Sequence, residues 1–424
     1  MKSNSLKMGI SLLLAGHLLH AANITTLLDA VKDQPQSSLD ALEVERGALG
    51  ERKISDKLMP KFDAFAGYEI YNRPSSLRPV LPSEMQKQNA RLPFSKRIRR
   101  LGAQFSWPIF VKSLYTLKEK ASLLHLAAKE KKRLSLIQRE AGVVGAVAYL
   151  HYMESLKGAL LAKERSILAT RKKVALMVKE GRTADSKLLT LDAHLNELKM
   201  NIIDIDRQKN TLFAKIETLT GVALKQSVPM YQKRPLKKGK IFALLPLEKR
   251  LQANKKGMKA AKESYYPTLA IKGNYTHSYA DAYNNDESID TKYGIIGLYV
   301  NFPLYDSSKS TAVEEAKLDY YKARSLIDDT RNTLTAKAKE LEREIELLKN
   351  SVGLAQKSIK EQKALLKVAK VSLENQVITQ EEYLRYEDAL ANAKANLYKI
   401  NAQKWQDIAQ LAVIYGNDLK GIVK

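Results

Sequence analysis

The chain has 424 residues, including 71 Lys or Arg and 46 Asp or Glu, so its net charge is +25, and it contains no Cys. The absence of Cys excludes disulfides, zinc–thiolate sites and a lipid anchor on cysteine. A charge this positive is typical of nucleic-acid-binding proteins. Here, however, the basic residues alternate with Glu along predicted helices and form no compact patch with aromatic residues. We therefore expect a solvated helix surface and no nucleic-acid partner.

The first residues have the layout of a secretory signal peptide. Lys2 and Lys7 precede an apolar run over residues 8–19, and two Ala follow at 21 and 22. This predicts a signal peptide over residues 1–21, with a buried first helix as the alternative. No later apolar run reaches the roughly 20 residues of a membrane-spanning helix. The mature chain is then expected to be either soluble outside the cytoplasm or a membrane β-barrel.

The remainder of the chain repeats one pattern twice. Residues 96–221 align with residues 291–416 without a gap. Each copy reads as a strand, a Pro, a very long helix, a short break, a second helix and a Gly, and a helix and another strand precede it. A duplicated unit of this kind constrains the whole fold. We predict a first repeat over 22–221, a basic crossover over 222–243, a second repeat over 244–417 and a tail over 418–424.

Apolar and polar residues alternate in four segments of the chain. They predict strands over about 61–71, 100–108, 268–279 and 293–303. Strands of about ten residues with one apolar and one polar face are typical of membrane barrels, and a half-buried soluble sheet is the alternative. Four strands are too few to close a membrane barrel, so a barrel would need several chains.

The last strand illustrates the two faces. Tyr299 and Asn301 are predicted to face the lumen of a barrel. The alternating residues are predicted to face lipid, and they are Ile296, Leu298, Val300 and Phe302.

Each repeat contains a helix that is long for a globular protein. These helices are predicted over about 112–180 and 306–375. Small and apolar residues recur with a 4-3-4-3 spacing from Leu334 to Ile359. A seven-residue repeat sustained over this length indicates a coiled-coil seam. At 1.5 Å per residue, the helices would each measure about 105 Å.

Shorter helices are predicted on either side of the strands and breaks. The helices that return after the breaks, about 186–220 and 380–415, have half the length of the long ones. The helices before the strands, about 37–58 and 244–265, would supply the other half. This arithmetic favours an elongated body with a helical hairpin at one end and strands at the other.

The breaks between the helices carry their own signals. Gly181 suits a left-handed helix stop, and Thr183 or Thr379 can cap the helix that follows. Val377 and Ile378 are apolar residues at what is predicted to be an exposed turn.

Three motifs of the second half carry a resemblance to a known family. They are Tyr266–Tyr275 (YPTLAIKGNY), Val300–Asp306 (VNFPLYD) and Gln410–Gly416 (QLAVIYG), with counterparts at Leu58–Tyr68 and Trp107–Phe110. In this order they resemble the TolC family of outer-membrane efflux proteins, over about residues 25–417.

The resemblance implies an α+β membrane protein. Each chain would contribute four strands to a trimeric, 12-stranded outer-membrane β-barrel, above a periplasmic tunnel of long α-helical coiled coils. The homotrimer would contact outer-membrane lipid, a periplasmic adaptor and an inner-membrane pump. It would be the exit duct of a tripartite efflux or type I secretion system and pass small molecules, metals or proteins. It would be no enzyme and need no cofactor. The alternative is a periplasmic or secreted coiled-coil scaffold without channel activity.

The resemblance also assigns roles to the helix breaks. Family members often have Val-Gly-Leu-like residues there, and Gln376 replaces the second Gly. Glu381 and Glu382 are a possible ring at the tunnel entrance, although Lys187 aligns with Glu382. Carboxylates at a helix start are the alternative explanation. The predicted adaptor-docking residues are Gly181, Arg182, Thr183, Val377, Ile378 and Thr379.

Other site types find little support in the sequence. No phosphate-binding loop, nucleophile elbow or zincin motif is present, and the four His beyond the signal peptide are not spaced as metal ligands. We expect no catalytic, cofactor or metal site. Residues 72–100 hold eight basic residues and one acid. This loop would meet lipopolysaccharide phosphates if it faces outward, and a solvated polar loop is the alternative.

Overall fold

The computed structural model describes residues 23–86 and 92–424. The predicted signal peptide over 1–21 lies outside these residues. The described chain begins with two helices, α1 (Ile24–Ala30) and α2 (Pro35–Asp56). The elements that follow are β1 (Lys61–Ser76), α3 (Pro82–Met85), β2 (Phe94–Phe110), α4 (Lys112–Lys179), α5 (Asp185–Thr220), α6 (Leu245–Glu263), β3 (Thr268–Asp281), β4 (Ser288–Asn301), α7 (Ser307–Glu374), α8 (Gln380–Tyr415) and α9 (Leu419–Ile422).

The chain forms two compact units, and each draws on both halves of the sequence. One contains the described chain up to Ser37 together with Ser135–Lys240 and Lys337–Lys424. The other contains Ser38–Leu134 and Ile241–Ala336. Both long helices contribute residues to both units. The first unit contains the two helix breaks, and the second contains the strands. The repeat boundaries predicted from the sequence remain a prediction about how the chain is organised.

The four strands form one antiparallel sheet in the order β1-β2-β3-β4. The two hairpins are joined because β2 pairs with β3, and Phe105 lies opposite Gly273. The strands are longer than the sequence predicts at their hairpin ends. β1 continues past an irregularity between Ile70 and Ser75, because pairing with Ser95 and Phe94 resumes beyond it. Phe302 was predicted within the last strand but lies just after β4, which ends at Asn301.

The predicted long helices are confirmed. α4 and α7 have 68 residues each, which corresponds to about 102 Å at 1.5 Å per residue. The predicted seam of α7 is buried where small and branched residues alternate, at Ala338, Leu341 and Ile345. In α4 the aligned residues Val143, Ala146 and Leu150 are buried too. Among the helices of the described residues, none combines the length and the apolar character needed to cross a membrane.

The core of the first unit includes the two ends of the described chain. Leu27 and Leu28 of α1 and Leu419 of α9 are fully buried. Lys420 Nζ donates to Asp29 Oδ2 at 2.6 Å and ties α9 to α1. The crossover is held by an antiparallel bridge between Gln232 and Val423. These contacts fix the segment that joins the two halves of the chain.

Candidate functional site

The first helix break is a Schellman turn. Gly181 has φ 71° and its backbone N–H donates to Val178 O at 2.9 Å. Arg182 N–H donates to Met177 O at 2.8 Å. The left-handed residue ends α4, since its N–H and the next one turn back onto the last free carbonyls. Glycine suits this position because it has no Cβ to clash with the backbone.

The second break makes the same turn without glycine. Gln376 has φ 58°, and its N–H donates to Leu373 O at 3.0 Å. Val377 N–H donates to Ser372 O at 2.8 Å. Gln376 therefore adopts the conformation that the first break gives to Gly181. The residue type differs from the family pattern, but the backbone of the turn is retained.

The two returning helices begin differently. At α8, Thr379 Oγ1 accepts from Glu382 N–H at 3.2 Å, and Thr379 N–H donates to Glu382 Oε2 at 2.7 Å. This reciprocal pair is a capping box. At α5 the N-cap is Ala184, with no side-chain hydrogen bond. The prediction that Thr379 caps its helix is confirmed, and the same prediction for Thr183 is wrong because α5 starts one residue later.

The apolar residues of the second break differ in exposure. Val377 is 75% exposed. Ile378 is half-buried, so the prediction that both are exposed holds only for Val377. The equivalent of Val377 in the first break is Arg182, which is exposed and pairs with Glu180 at 3.2 Å. An apolar surface at a turn is therefore found at the second break and not at the first.

Both carboxylates of the possible entrance ring have partners within the chain. Glu381 Oε1 accepts from Arg385 at 2.7 Å. Glu382 belongs to the capping box, and hydrogen bonds from the Thr379 backbone N–H and then its hydroxyl lower the pKa of the carboxyl. Charges at a helix start also interact favourably with the helix dipole. These contacts account for both residues without an entrance ring, which remains a prediction.

Ion pairs join the helices behind the breaks. Arg171 of α4 binds Asp192 of α5 through two guanidinium nitrogens. Arg165 of α4 reaches Glu387 of α8 at 3.1 Å. Each returning helix is thus attached to α4 by a charged contact.

The sheet brings the predicted lipid-facing residues onto one face. Paired residues of an antiparallel ladder lie on the same side of a sheet. Ile296 pairs with Gly273, Gly273 with Phe105 and Phe105 with Phe62. Leu298 pairs with Ile271, and Ile271 with Trp107. The side chains of Phe62, Ile296, Leu298 and Val300 are between 64% and 75% exposed. This exposed apolar face runs across all four strands.

The opposite face carries polar side chains. Gln104 pairs with Asp63 and Asn274, and its Nε2 donates to Asp63 Oδ2 at 3.5 Å. Lys272 Nζ lies 5.5 Å from the centre of the Tyr299 ring. Toward the hairpin ends this face becomes apolar and buried, at Ile98 and Ile289. The sheet is therefore two-faced over most of its length.

Histidine contacts were not foreseen from the sequence. His277 Nε2 lies against Asp290, and Tyr279 Oη lies 2.6 Å from His277 Nδ1. His125 Nδ1 lies 3.4 Å from Glu51. Asp290 lies on the strand next to His277, and Glu51 lies 74 residues from His125, so the spacing of residues does not reveal these two carboxylate partners. Within the described part of the chain, no three His, Asp or Glu side chains converge as metal ligands do.

Comparison with solved structures identifies the fold. The structure is similar to the Campylobacter jejuni CmeC outer membrane channel, with a TM-score of 0.71, 16% identity and coverage of 94% of this chain and 85% of that one. The open state of the Neisseria gonorrhoeae MtrE outer membrane channel gives a TM-score of 0.72 at 14% identity, over 94% of this chain and 90% of that one. The outer membrane protein VceC from Vibrio cholerae gives 0.69 at 13% identity, over 93% and 97%.

This chain has the fold of outer-membrane channel proteins. The α+β fold implied by the TolC resemblance is therefore confirmed. No protein-family model matches the sequence, and no curated protein matches it either.

Proposed function

We propose that this protein is the exit channel of a tripartite efflux or type I secretion system in the outer membrane. Its helices would lie in the periplasm. The observation that carries the proposal is the exposed apolar face across four strands, in a chain that has 68-residue helices and the fold of outer membrane channels. A soluble sheet would bury such a face, whereas lipid solvates it.

The sheet also supports a homotrimer. β1 and β4 are the edge strands of the sheet, and neither has a second partner strand among the described residues. Unpaired backbone groups are strongly unfavourable in lipid, so an open sheet must find partners there. Three copies joined edge to edge would supply twelve strands and leave no edge.

The helix breaks are the proposed docking surface for a periplasmic adaptor and an inner-membrane pump. The exposed Val377 and the half-buried Ile378 lie beside a turn that ends a long helix. Apolar residues at such a turn suit contact with the end of a partner helix. The proposed cargo is small molecules, metals or proteins, and no chemistry on the cargo is proposed.

The membrane part of the proposal is tested by a pair of substitutions on one strand. Leu298→Arg places a charge on the exposed apolar face, where the cost of a charge rises to about 2–4 kcal/mol toward the bilayer centre. Asn301→Arg is the control, because Asn301 is predicted to face the water-filled lumen. We expect Leu298→Arg to lose most of its trimer in unheated detergent gels of outer membranes, and Asn301→Arg to keep it.

Two outcomes would contradict the proposal. Equal tolerance of both substitutions would refute the assignment of the faces. A wild-type chain that fractionates as a soluble periplasmic protein would favour the coiled-coil scaffold without channel activity.

A further inference from the structure

A row of cations borders the exposed apolar face at its hairpin end. Arg97 and Arg99 of β2 have the same strand parity as Phe105 and Trp107, so they lie on the apolar face. In β4, Lys292 shares this face with Ile296, Leu298 and Val300, and it pairs with His277 of β3. All three cations are exposed. Arg97 aligns with Lys292 of the second repeat, so both copies have a cation at the aligned position.

These cations are not neutralised within the sheet. Among the described residues, no carboxylate forms an ion pair with the three side chains, whereas Arg100 on the opposite face pairs with Glu69 at 2.9 Å. Two carboxylates share the face with the cations, Asp281 and Asp290. Asp290 is already bound to His277. The cations therefore have charge available for an external anion.

The distance from the opposite border of the apolar face to the row of cations matches the thickness of the apolar band of a membrane. Trp107 and Arg99 are eight residues apart on β2, and Val300 and Lys292 are eight apart on β4. Eight residues span about 27 Å along a strand, or about 20 Å along the membrane normal at a tilt of about 40°. The apolar band of a membrane barrel is about 25 Å tall. Arg and Lys side chains extend further and place their charges at the headgroups.

Aromatic residues mark the same level. Tyr68 pairs with Arg99, and Arg99 pairs with Tyr279. Tyr68 is 58% exposed and Tyr279 is 39% exposed. Tyrosines at the border of an apolar band are typical of the membrane–water interface. Charge and aromatic residues thus point to headgroup depth independently of each other.

We propose that Arg97, Arg99 and Lys292 form a binding surface for the phosphate groups of an outer-leaflet lipid. The proposal rests on the proposed outer-membrane location, and it adds a ligand that the channel role does not require. Guanidinium groups bind phosphate through paired hydrogen bonds, and lysine adds a further charge. Arg97 and Arg99 are about 7 Å apart along the strand, so both reach one phosphorylated headgroup.

The test uses purified trimers and two matched double variants. Arg97→Gln with Arg99→Gln removes two cations from the apolar face. Lys96→Gln with Lys272→Gln removes two cations from the opposite face of the same sheet. Binding of bisphosphorylated lipid A is measured by native mass spectrometry, with phosphatidylcholine as the zwitterionic comparison. We expect the first double variant to lose affinity for lipid A by about 30-fold, since each basic residue near a membrane surface contributes about fivefold in affinity. The control should bind as wild type.

Three results would refute the proposed phosphate-binding surface. They are unchanged lipid A affinity in the first double variant, an equal loss in the control, and equal binding of lipid A and phosphatidylcholine by the wild type. Competition by millimolar inorganic phosphate would show a site for free phosphate and not for a lipid. The proposed function is tested separately, by trimer formation and outer-membrane location of the wild-type chain. A trimeric outer-membrane protein without lipid A selectivity would therefore refute only the cation surface.

Discussion

Gly181 and Gln376 occupy equivalent positions in the two helix breaks, and both have a left-handed backbone with φ of 71° and 58°. The residues around them differ in kind. The first break continues with Arg182 and lacks a side-chain cap, whereas the second continues with Val377 and has the capping box of Thr379 and Glu382.

The two breaks share the backbone shape of the turn but differ in the chemistry of their side chains. Both breaks turn through the same backbone hydrogen bonds, so the geometry of the turn is common to the two copies. The exposed apolar side chain within the turn and the side-chain cap are present in only one of them, although Leu176 and Leu189 are exposed on the helices that flank the first break. Duplicated segments can therefore retain a turn while one copy acquires the surface suited to a partner. The comparison predicts that the two breaks respond differently to the same substitution.

The largest difference is expected at the exposed residue after each turn. Val377→Asp should abolish export, because a charge would replace the apolar contact proposed for the adaptor. Arg182→Asp changes the equivalent exposed position of the first break, where a charged side chain already stands, and should reduce export much less than Val377→Asp. Such surface changes usually alter stability by within about 0.5 kcal/mol. Export is measured in cells that depend on this chain, with trimer level determined in parallel.

The docking assignment would fail if Val377→Asp exported normally at normal trimer level. Ile378→Asp is a less direct test, because Ile378 is half-buried and its change also disturbs packing within the chain.

A second difference lies in the returning helices. Asp407 of α8 is 6% exposed, and its Oδ2 has no hydrogen-bond partner among the described residues. Burial, followed by the nearby charge of Glu344, raises the pKa of Asp407 to about 6. The equivalent residue of α5 is Leu212, which does not titrate. The pH dependence of stability at this position therefore belongs to one copy.

The direction of the pH dependence follows from the raised pKa of Asp407. The folded state binds the Asp407 proton more tightly than the unfolded state, so stability falls as pH rises from about 4 to about 6. Asp407→Asn should raise the free energy of unfolding at pH 7.5 by on the order of 1–3 kcal/mol, and the gain should vanish near pH 4. Thermal unfolding of trimers at the two pH values measures it. An equal gain at both values would assign the effect to packing.

The smallest difference is expected from exchanging the left-handed residues. Gln376→Gly should stabilise the second break by about 1 kcal/mol, because a side chain in this conformation is strained. Gly181→Gln should destabilise the first break by a similar amount. Beyond its own neighbours in the chain, a Cβ at Gly181 would meet no atom within 4 Å, so the cost would come from the backbone conformation and not from a clash with other residues. Hydrogen exchange of amides near each break measures both changes, and effects of the same sign would contradict the prediction.

Much of the fold could be predicted because its signals are local and repeated. The heptad spacing, the Pro residues at the strand ends and the Gly at the helix ends placed the termini of the six longer helices within about two residues of those observed. The strands were predicted too short. Alternation fades near Pro74, but a partner strand continues the ladder beyond it. Pairing between strands is a tertiary effect that the sequence of one strand does not contain.

The candidate site was less predictable. The prediction that Thr183 caps α5 is wrong by one residue, because the position of a cap depends on where the preceding turn ends. The burial of Ile378 and the contact of His277 with Asp290 depend on neighbouring elements. The shared face of the exposed apolar residues was predictable, since a period of two fixes it within each strand.

The open edges of the sheet have a genetic consequence. β1 and β4 differ in sequence, so in the proposed homotrimer each copy offers one edge to the copy before it and the other edge to the copy after it. A head-to-tail ring of this kind works only when every copy in it is functional. In cells that make equal amounts of wild-type chain and a Val377→Asp chain, which is expected to keep its trimer, only about one ring in eight would contain wild-type copies alone. Variants of the second helix break that still join the ring should therefore be dominant over the wild-type allele.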